Sequence, residues 1–332
     1  MKLLVTGDLG YIGSVLVPIL RDRGYEVCGF DIGYFADCLL CPVDINFQRI
    51  TKDIRLVDTE DLTGIDAIIH LAGLSNDPAG ELKPELTEQI NLDATVRLGK
   101  LARSAGVKRF VYASSQSMYG ISSLTDELDE DLSDKNPLTT YARTKWQAEL
   151  ALKELQTKDF SVICMRPSTV FGVSPRLRCD IVFNNFVACA FTTGKIEIMS
   201  DGTPWRPVVH IRDVCSAFIA GIEAPLHLVA GRSFNVGIPN GNFSVRDLAE
   251  AAKRAVPGTE LKFMGEHGGD SRTYKVSFKR ILTELWEWYK PEWDLDRGGI
   301  ELVEFFKRVN FTESDFRGPI TNRLLKLQNE FS

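Results

Sequence analysis

The chain has 332 residues, 44% of them hydrophobic and 25% charged, an ordinary globular composition with room for one large domain or two modest ones. Its formal charge is −6, its isoelectric point is about 5.4 and it has no basic run, which excludes the electrostatic footprint of a nucleic-acid binder or a membrane-surface anchor. No apolar segment reaches the ~18 residues that span a bilayer, so neither nucleic acid nor membrane is expected as a partner.

Met1-Lys2-Leu3-Leu4-Val5-Thr6-Gly7 lacks the basic, apolar and cleavage regions of a secretion signal and reads as a first strand over Lys2 to Thr6, which favours a cytoplasmic protein. A helix over Tyr11 to Arg23 and a strand over Tyr25 to Phe30 follow. Asp66 to Leu71 ("DAIIHL") and Lys108 to Ser114 ("KRFVYAS") are further strands, separated by a long helix over Pro84 to Ala105. A helix carries Tyr141, and Phe160 to Arg166 ("FSVICMR") is again a strand. Alternating helices and nearly all-apolar strands predict an α/β fold with a doubly wound parallel sheet of Rossmann type.

After Pro167 the pattern loosens into loops rich in Gly, Pro and Arg, with shorter helices over Asp213 to Glu223 and Ser244 to Val256. Ser244-Val245-Arg246-Asp247 predicts a capping box at the start of the second. The chain from Phe278 onward reads as helical. Residues 1–170 are thus expected to form a dinucleotide-binding domain, completed by segments near 208–238. Residues 171–332 then form mainly a smaller α+β substrate domain, with the ligand in the cleft between them.

"VTGDLGYIGS" sets Gly7, Gly10 and Gly13 between the first strand and the first helix, with Tyr11 and Ile12 at the helix entrance. Glycine is required where the turn is tight, where backbone approaches a pyrophosphate and where helix packs on sheet, and the helix N-terminus adds N–H donors for the anion. Asp8 must turn its carboxylate away. Asp31 ends the second strand, placed to accept from the adenosine ribose hydroxyls, and as an acid with no arginine closely following it favours NAD over NADP. Asp53 and Ile54 fall where the third strand ends, at the adenine. His70, on an apolar strand, reads as a packed structural histidine. Cys38 and Cys41 form a lone C-x-x-C without a second pair, so free thiols are expected and no metal.

In Y-A-R-T-K, Tyr141 and Lys145 lie one helical turn apart and face the same way. An ammonium beside a phenol favours the phenolate and lowers a pKa that otherwise sits near ~10, which makes a general base workable at neutral pH. Taken alone, the spacing fits a solvated helical face equally well.

The glycines, the Asp31 ending, "HLAG", "YASSQSMYG", Y-A-R-T-K and "TPWRPVVHIRDV" together resemble the extended short-chain dehydrogenases/reductases that modify nucleotide sugars, through nearly the whole chain. The resemblance implies NAD as cofactor and a nucleotide-diphosphate sugar as substrate. It implies Tyr141 as catalytic acid/base, Lys145 as its electrostatic partner on the nicotinamide ribose, and Ser115 as the hydrogen-bond partner of the reacting sugar oxygen. Leu71, Ala72, Gly73 and Asn91 fall on the cofactor side, while Asn185, Arg206 and Arg272 match residues near the substrate diphosphate. In Arg272 the match is loose, because here the arginine follows Asp270 instead of preceding it. The 4,6-dehydratases of the family carry an Asp-Glu pair directly after the serine or threonine; here Gln116 and Ser117 stand there, which argues against elimination. The reading is therefore 4-epimerisation through a transient 4-keto sugar, with an NAD(P)H-dependent 4-ketoreductase as the alternative and a catalytically inactive dinucleotide sensor third. The resemblance also implies a homodimer, with Trp146, Leu150 and Leu152 as candidates for its helical interface.

Overall fold

In β1 (Lys2–Thr6), Leu3, Leu4 and Val5 are fully buried, as a strand covered on both faces requires. The computed structural model describes residues 1–331 apart from 45, 76, 122–125 and 266–272. Among these, β1 joins β2 (Glu26–Asp31), β3 (Arg49–Thr51), β4 (Ala67–His70), β5 (Arg109–Ala113) and β6 (Ser161–Pro167) in a parallel sheet. β7 (Thr169–Phe171), β8 (Lys195–Ile198) and β9 (Trp205–His210) lie outside that sheet, but β10 (Ser233–Val236) returns to pair in parallel with β6. The order is β10-β6-β5-β4-β1-β2-β3, so the winding reverses between β1 and β4, and a crevice opens there at the strand ends.

The first helix, α1 (Gly13–Asp22), starts two residues later than the sequence predicts. Gly13 packs so closely on the preceding loop that an added Cβ would lie 2.2 Å from the Gly7 carbonyl, and Tyr11 is drawn out of the helix. Asp8 turns away from the crevice, buried and paired with Arg49 at 2.7 Å. The short α2 (Asp77–Leu82) precedes the segment expected as one long helix over 84–105. That segment is instead α3 (Pro84–Glu88), a wide π turn over Gln89–Asp93, and α4 (Ala94–Ser104). The wide turn holds Asn91 where its side chain bonds both the N–H and the C=O of Leu74, each at 2.9 Å. Helical periodicity alone carries no signal for such a bulge.

α5 (Thr140–Lys153) carries Tyr141 and packs across the sheet with α4. His70 is buried between the hydroxyls of Thr6 (2.6 Å) and Thr95 (2.8 Å), and burial pushes its pKa down to about 3. Beyond β6, α6 (Val182–Thr193), α7 (Ile211–Glu223), α8 (Leu226–Val229) and α9 (Val245–Ala255) alternate with β8, β9, β11 (Asn242–Ser244) and β12 (Glu260–Phe263). α7 covers the large sheet, whereas α6 and α9 build a separate core with α11. The capping box at Ser244 and Asp247 is present. α10 (Lys279–Glu284), α11 (Leu295–Arg308), α12 (Glu313–Arg317) and α13 (Arg323–Phe331) complete the chain. The "HIRD" motif fastens this tail: His210 meets Glu301 at 2.9 Å and stacks on Trp293, while Asp213 accepts from the amides of Glu292 and Trp293. Among the described residues no helix is long and apolar enough to cross a membrane.

Candidate active site

A cavity of about 570 Å³ runs along the crevice. At one end Gly7, Gly10, Tyr11, Ile12 and Gly13 form its floor. Gly7 has φ +75°, and a Cβ there would lie 2.8 Å from the Ala72 nitrogen, so the loop can pass Leu71-Ala72-Gly73 only as glycine. Asp31 lines the same end and accepts from Gly33 N (2.7 Å) and Leu9 N (3.2 Å); burial raises its pKa. The fold does bring arginines near it, Arg176 and Arg49, that local sequence does not reveal. Both are engaged elsewhere, Arg176 on the carbonyls of Phe35 and Ala36 and Arg49 on Asp8. Asp53 and Ile54 line the cavity too, with the Asp53 carboxylate held by Arg55 at 2.6 Å, which keeps its pKa low.

Ser115, Tyr141 and Lys145 line the cavity farther along, beside the backbone of Pro167, Ser168 and Thr169. Ser115 follows β5 and caps a short turn, accepting from Ser117 N at 3.1 Å. The first turn of α5 is fixed from α2. Thr139 caps the helix and donates to Asp77, and Thr140 N donates to Glu81 at 2.6 Å. A Cβ on Gly80 would lie 2.9 Å from the Cβ of Tyr141, so α2 seats the tyrosine by direct contact. One turn on, the Lys145 Nζ donates to the Ala113 carbonyl at 2.8 Å and lies 5.0 Å from the centre of the Tyr112 ring.

The electrostatics differ from the expectation drawn from the Tyr-x-x-x-Lys spacing. Burial pushes Tyr141 up to about 12, against a hydrogen bond with Ser115 and the field of Arg178, both of which lower it. Lys145 is not among the groups that shift Tyr141 most, and its ammonium is turned onto the Ala113 carbonyl. Burial in turn lowers Lys145 to about 8, which leaves it mainly protonated at pH 7. Burial thus favours the phenol form of Tyr141, and positive charge in the cavity favours the phenolate.

Two expected positions fall outside the cavity wall. Asn91 is buried and spends its amide on Leu74, so it shapes the Leu71–Leu74 loop. Asn185, on α6, donates to the Cys179 carbonyl at 2.9 Å, because the helix phase turns Ile181 and Val182 to the cavity instead. Arg206 does line the cavity, from β9, with Nη1 on the Trp205 carbonyl at 2.9 Å. Arg272 lies outside the described residues. Leu152 is core, against Gly99, whereas Leu150 is 45% exposed. Cys38 and Cys41 are free thiols.

Sequence reading missed Arg178, Asp180, Ser75, Asp77 and Asn322-Arg323-Leu324, all of which line the cavity. Arg178 binds Asp180 through both Nε (3.0 Å) and Nη2 (2.9 Å), and Ser75 through Nη1 (2.7 Å). Its only sequence signal was an arginine two residues before an aspartate in a Pro- and Arg-rich loop.

Residues 3–237 match the model of the NAD dependent epimerase/dehydratase family. The chain is 32% identical over 326 residues to a UDP-glucose 4-epimerase of Mycolicibacterium smegmatis, covering 92% of this chain and 99% of that one. It is 30% identical over 318 residues to a UDP-glucose 4-epimerase of Bacillus subtilis, covering 86% and 92%. The structure of MoeE5 in complex with UDP-glucuronic acid and NAD superposes with a TM-score of 0.78 at 26% identity, over 93% of this chain and 99% of that one.

Proposed function

The chain belongs to the NAD-dependent epimerase/dehydratase family, and we propose that within it the protein interconverts C4 epimers of a nucleoside-diphosphate sugar through a transient 4-keto sugar. The observation that carries this reading is one cavity that holds the glycine loop and Asp31 at one end and Ser115, Tyr141 and Lys145 farther along. The relatives named as UDP-glucose 4-epimerases support it.

NAD is the cofactor, and when bound it accepts the C4 hydride and returns it. The residues present fit it: the loop where added Cβ atoms would collide, the Asp31 carboxylate at the end of β2, and Lys145 beside the backbone after β6. Tyr141 takes the C4 hydroxyl proton and later gives it back, while Ser115 holds the same oxygen. Beside Lys145, the positive charge of bound oxidised cofactor would favour the phenolate form of Tyr141. Arg206 binds the substrate diphosphate, for which a guanidinium is suited. Residues 171–332 then serve mainly the substrate, apart from the stretch 211–236 that packs with the large sheet.

Elimination of water needs a titrating pair beside Ser115. Gln116 instead is buried, donating to the Arg166 carbonyl at 2.9 Å, and Ser117 bonds Ser115 at 2.8 Å. A ketoreductase would exchange coenzyme at each turnover, and an inactive sensor would have lost Tyr141 or Lys145. We further read the protein as a cytoplasmic homodimer joined through α4 and α5, where Leu150 is exposed; sedimentation showing a monomer at micromolar concentration overturns that part. The test of the function is a panel of nucleoside-diphosphate sugars given to purified protein with no added coenzyme. Conversion of one sugar to its C4 epimer is expected. Turnover only with added NADPH overturns the epimerase reading.

A further inference from the structure

The last stretch of the chain lies against the cofactor end of the cavity, and none of the motifs accounts for it. Asn322, Arg323 and Leu324 line the cavity together with Asp31, Tyr34 and Phe35. This stretch is fastened to parts of the chain far away in sequence. Cys179 N donates to the Thr321 carbonyl at 2.9 Å, and Lys326 pairs with Asp37 at 2.6 Å. The Cys38 thiol donates to the Pro319 carbonyl at 3.5 Å, and α13 rests on α2.

Arg323 is 3% exposed, with its guanidinium over the Phe35 ring at 5.0 Å. Two of its five N–H donors reach carbonyls, those of Ile320 (3.1 Å) and Arg176 (2.9 Å), and none reaches a carboxylate among the described residues. Arg176, also 3% exposed, donates to the carbonyls of Phe35 and Ala36 and leaves its buried Nε without a partner. Arg178, 8% exposed, completes the group and is paired with Asp180. Three guanidiniums therefore gather with one directly paired carboxylate, Asp31 acting on Arg176 only at longer range. Buried charge without a directly paired counter-charge is costly, and burial pushes Arg323 down to about 10, with Asp180 opposing this only at longer range. Such a wall is relieved by an anion in the cavity. Its attachment to Phe35, in the loop that Asp31 opens, assigns that anion to the cofactor and not to the sugar nucleotide near Arg206.

We propose that the C-terminal segment is part of the cofactor site: Arg323, with Asn322 beside it, gives counter-charge to the diphosphate bridge of NAD, and residues 319–331 close over the dinucleotide so that it stays bound from one turnover to the next. This rests on the epimerase reading, in which the coenzyme is not exchanged, and explains how it is retained.

Wild-type protein and Arg323→Gln are stripped of coenzyme and titrated by calorimetry with NAD and, separately, with UDP. The variant is expected to bind NAD about ten- to a hundredfold more weakly, the loss of a charge-assisted bond, with UDP affinity within twofold of wild type. Unchanged NAD affinity, or an equal loss for UDP, overturns the proposal. Wild-type protein that binds no NAD overturns the cofactor reading and the proposal with it. Amide hydrogen exchange on wild-type protein decides the matter even if the variant does not fold. NAD is expected to slow exchange across 321–330 at least tenfold, and no change there overturns the closure.

Discussion

Glu149 stands two turns beyond Tyr141 on α5, and its replacement by glutamine tests what holds this helix to the sheet. Its carboxylate accepts from Arg166 (Nη2, 2.6 Å; Nε, 3.1 Å), from Ser114 (2.6 Å) and from Ser233 (2.6 Å). It thus ties α5 to β6, to the residue before Ser115 and to the edge strand β10. Both members of the ion pair are essentially unexposed. Burial alone would raise the Glu149 pKa, but Arg166 outweighs it and holds the group at about 2 against an ordinary 4.5. A carboxylate lowered in the folded state stabilises fully above its unfolded pKa and loses that contribution as pH falls. The window here runs from about 4.5 down to 2, and the gap is worth about 3 kcal/mol. Glu149→Gln removes the carboxylate paired with the buried Arg166 charge, which keeps only Tyr119 and the Glu130 carbonyl, a loss of about 3–5 kcal/mol at pH 7. Urea unfolding at pH 7 and at steps from pH 5 to 3 measures both effects. The variant should lose that stability at neutral pH and show a shallower acid dependence than wild type by the Glu149 share, since other lowered carboxylates such as Asp53 and Glu301 remain. A loss below about 1 kcal/mol together with an unchanged acid slope would refute the reasoning.

Three further outcomes are expected. Asp31→Ala should weaken NAD more than NADP, because the carboxylate both accepts from the ribose and repels a 2′-phosphate; equal effects in a binding titration would contradict this. Arg206→Ala should raise the KM for the nucleotide sugar far more than it lowers hydride transfer, since a diphosphate clamp acts in ground and transition states alike, and steady-state against single-turnover rates separate the two. Gly80→Ala sets a methyl 2.9 Å from the Tyr141 Cβ, so kcat should fall at least tenfold with NAD affinity unchanged; wild-type kcat would show that α2 does not seat the tyrosine.

The sheet was legible because buried parallel strands such as "DAIIHL" are apolar throughout, and the glycine loop because only glycine tolerates those contacts. The π turn at Gln89–Asp93 was not, since a one-residue widening leaves helical periodicity nearly intact. The orientation of Asn185 was not legible either: its neighbour Asn184 points inward to Tyr11, and one position on α6 turns a side chain by about 100°. The Tyr141–Lys145 pair was legible as a juxtaposition on one helix face, whereas the lysine's contact with the Ala113 carbonyl was not, because Ala113 comes from another strand. Arg178 and Arg323 reach the cavity from loops and a tail whose courses are set by tertiary contacts, such as Lys326 with Asp37, 289 residues apart in the chain.

The central claim is that the hydride leaves C4 and returns to C4 on coenzyme that never departs, with Tyr141 moving the proton. A nucleotide sugar deuterated at C4 is turned over by wild-type protein and by Tyr141→Phe without added coenzyme, and product and bound NAD are followed by mass spectrometry. Wild type should give the epimer with deuterium still at C4 and label passing transiently through the bound coenzyme, while Tyr141→Phe, folded as before, should fall by about two to four orders of magnitude. Label lost to water or to exchanged coenzyme, or near wild-type turnover by Tyr141→Phe, would contradict the account.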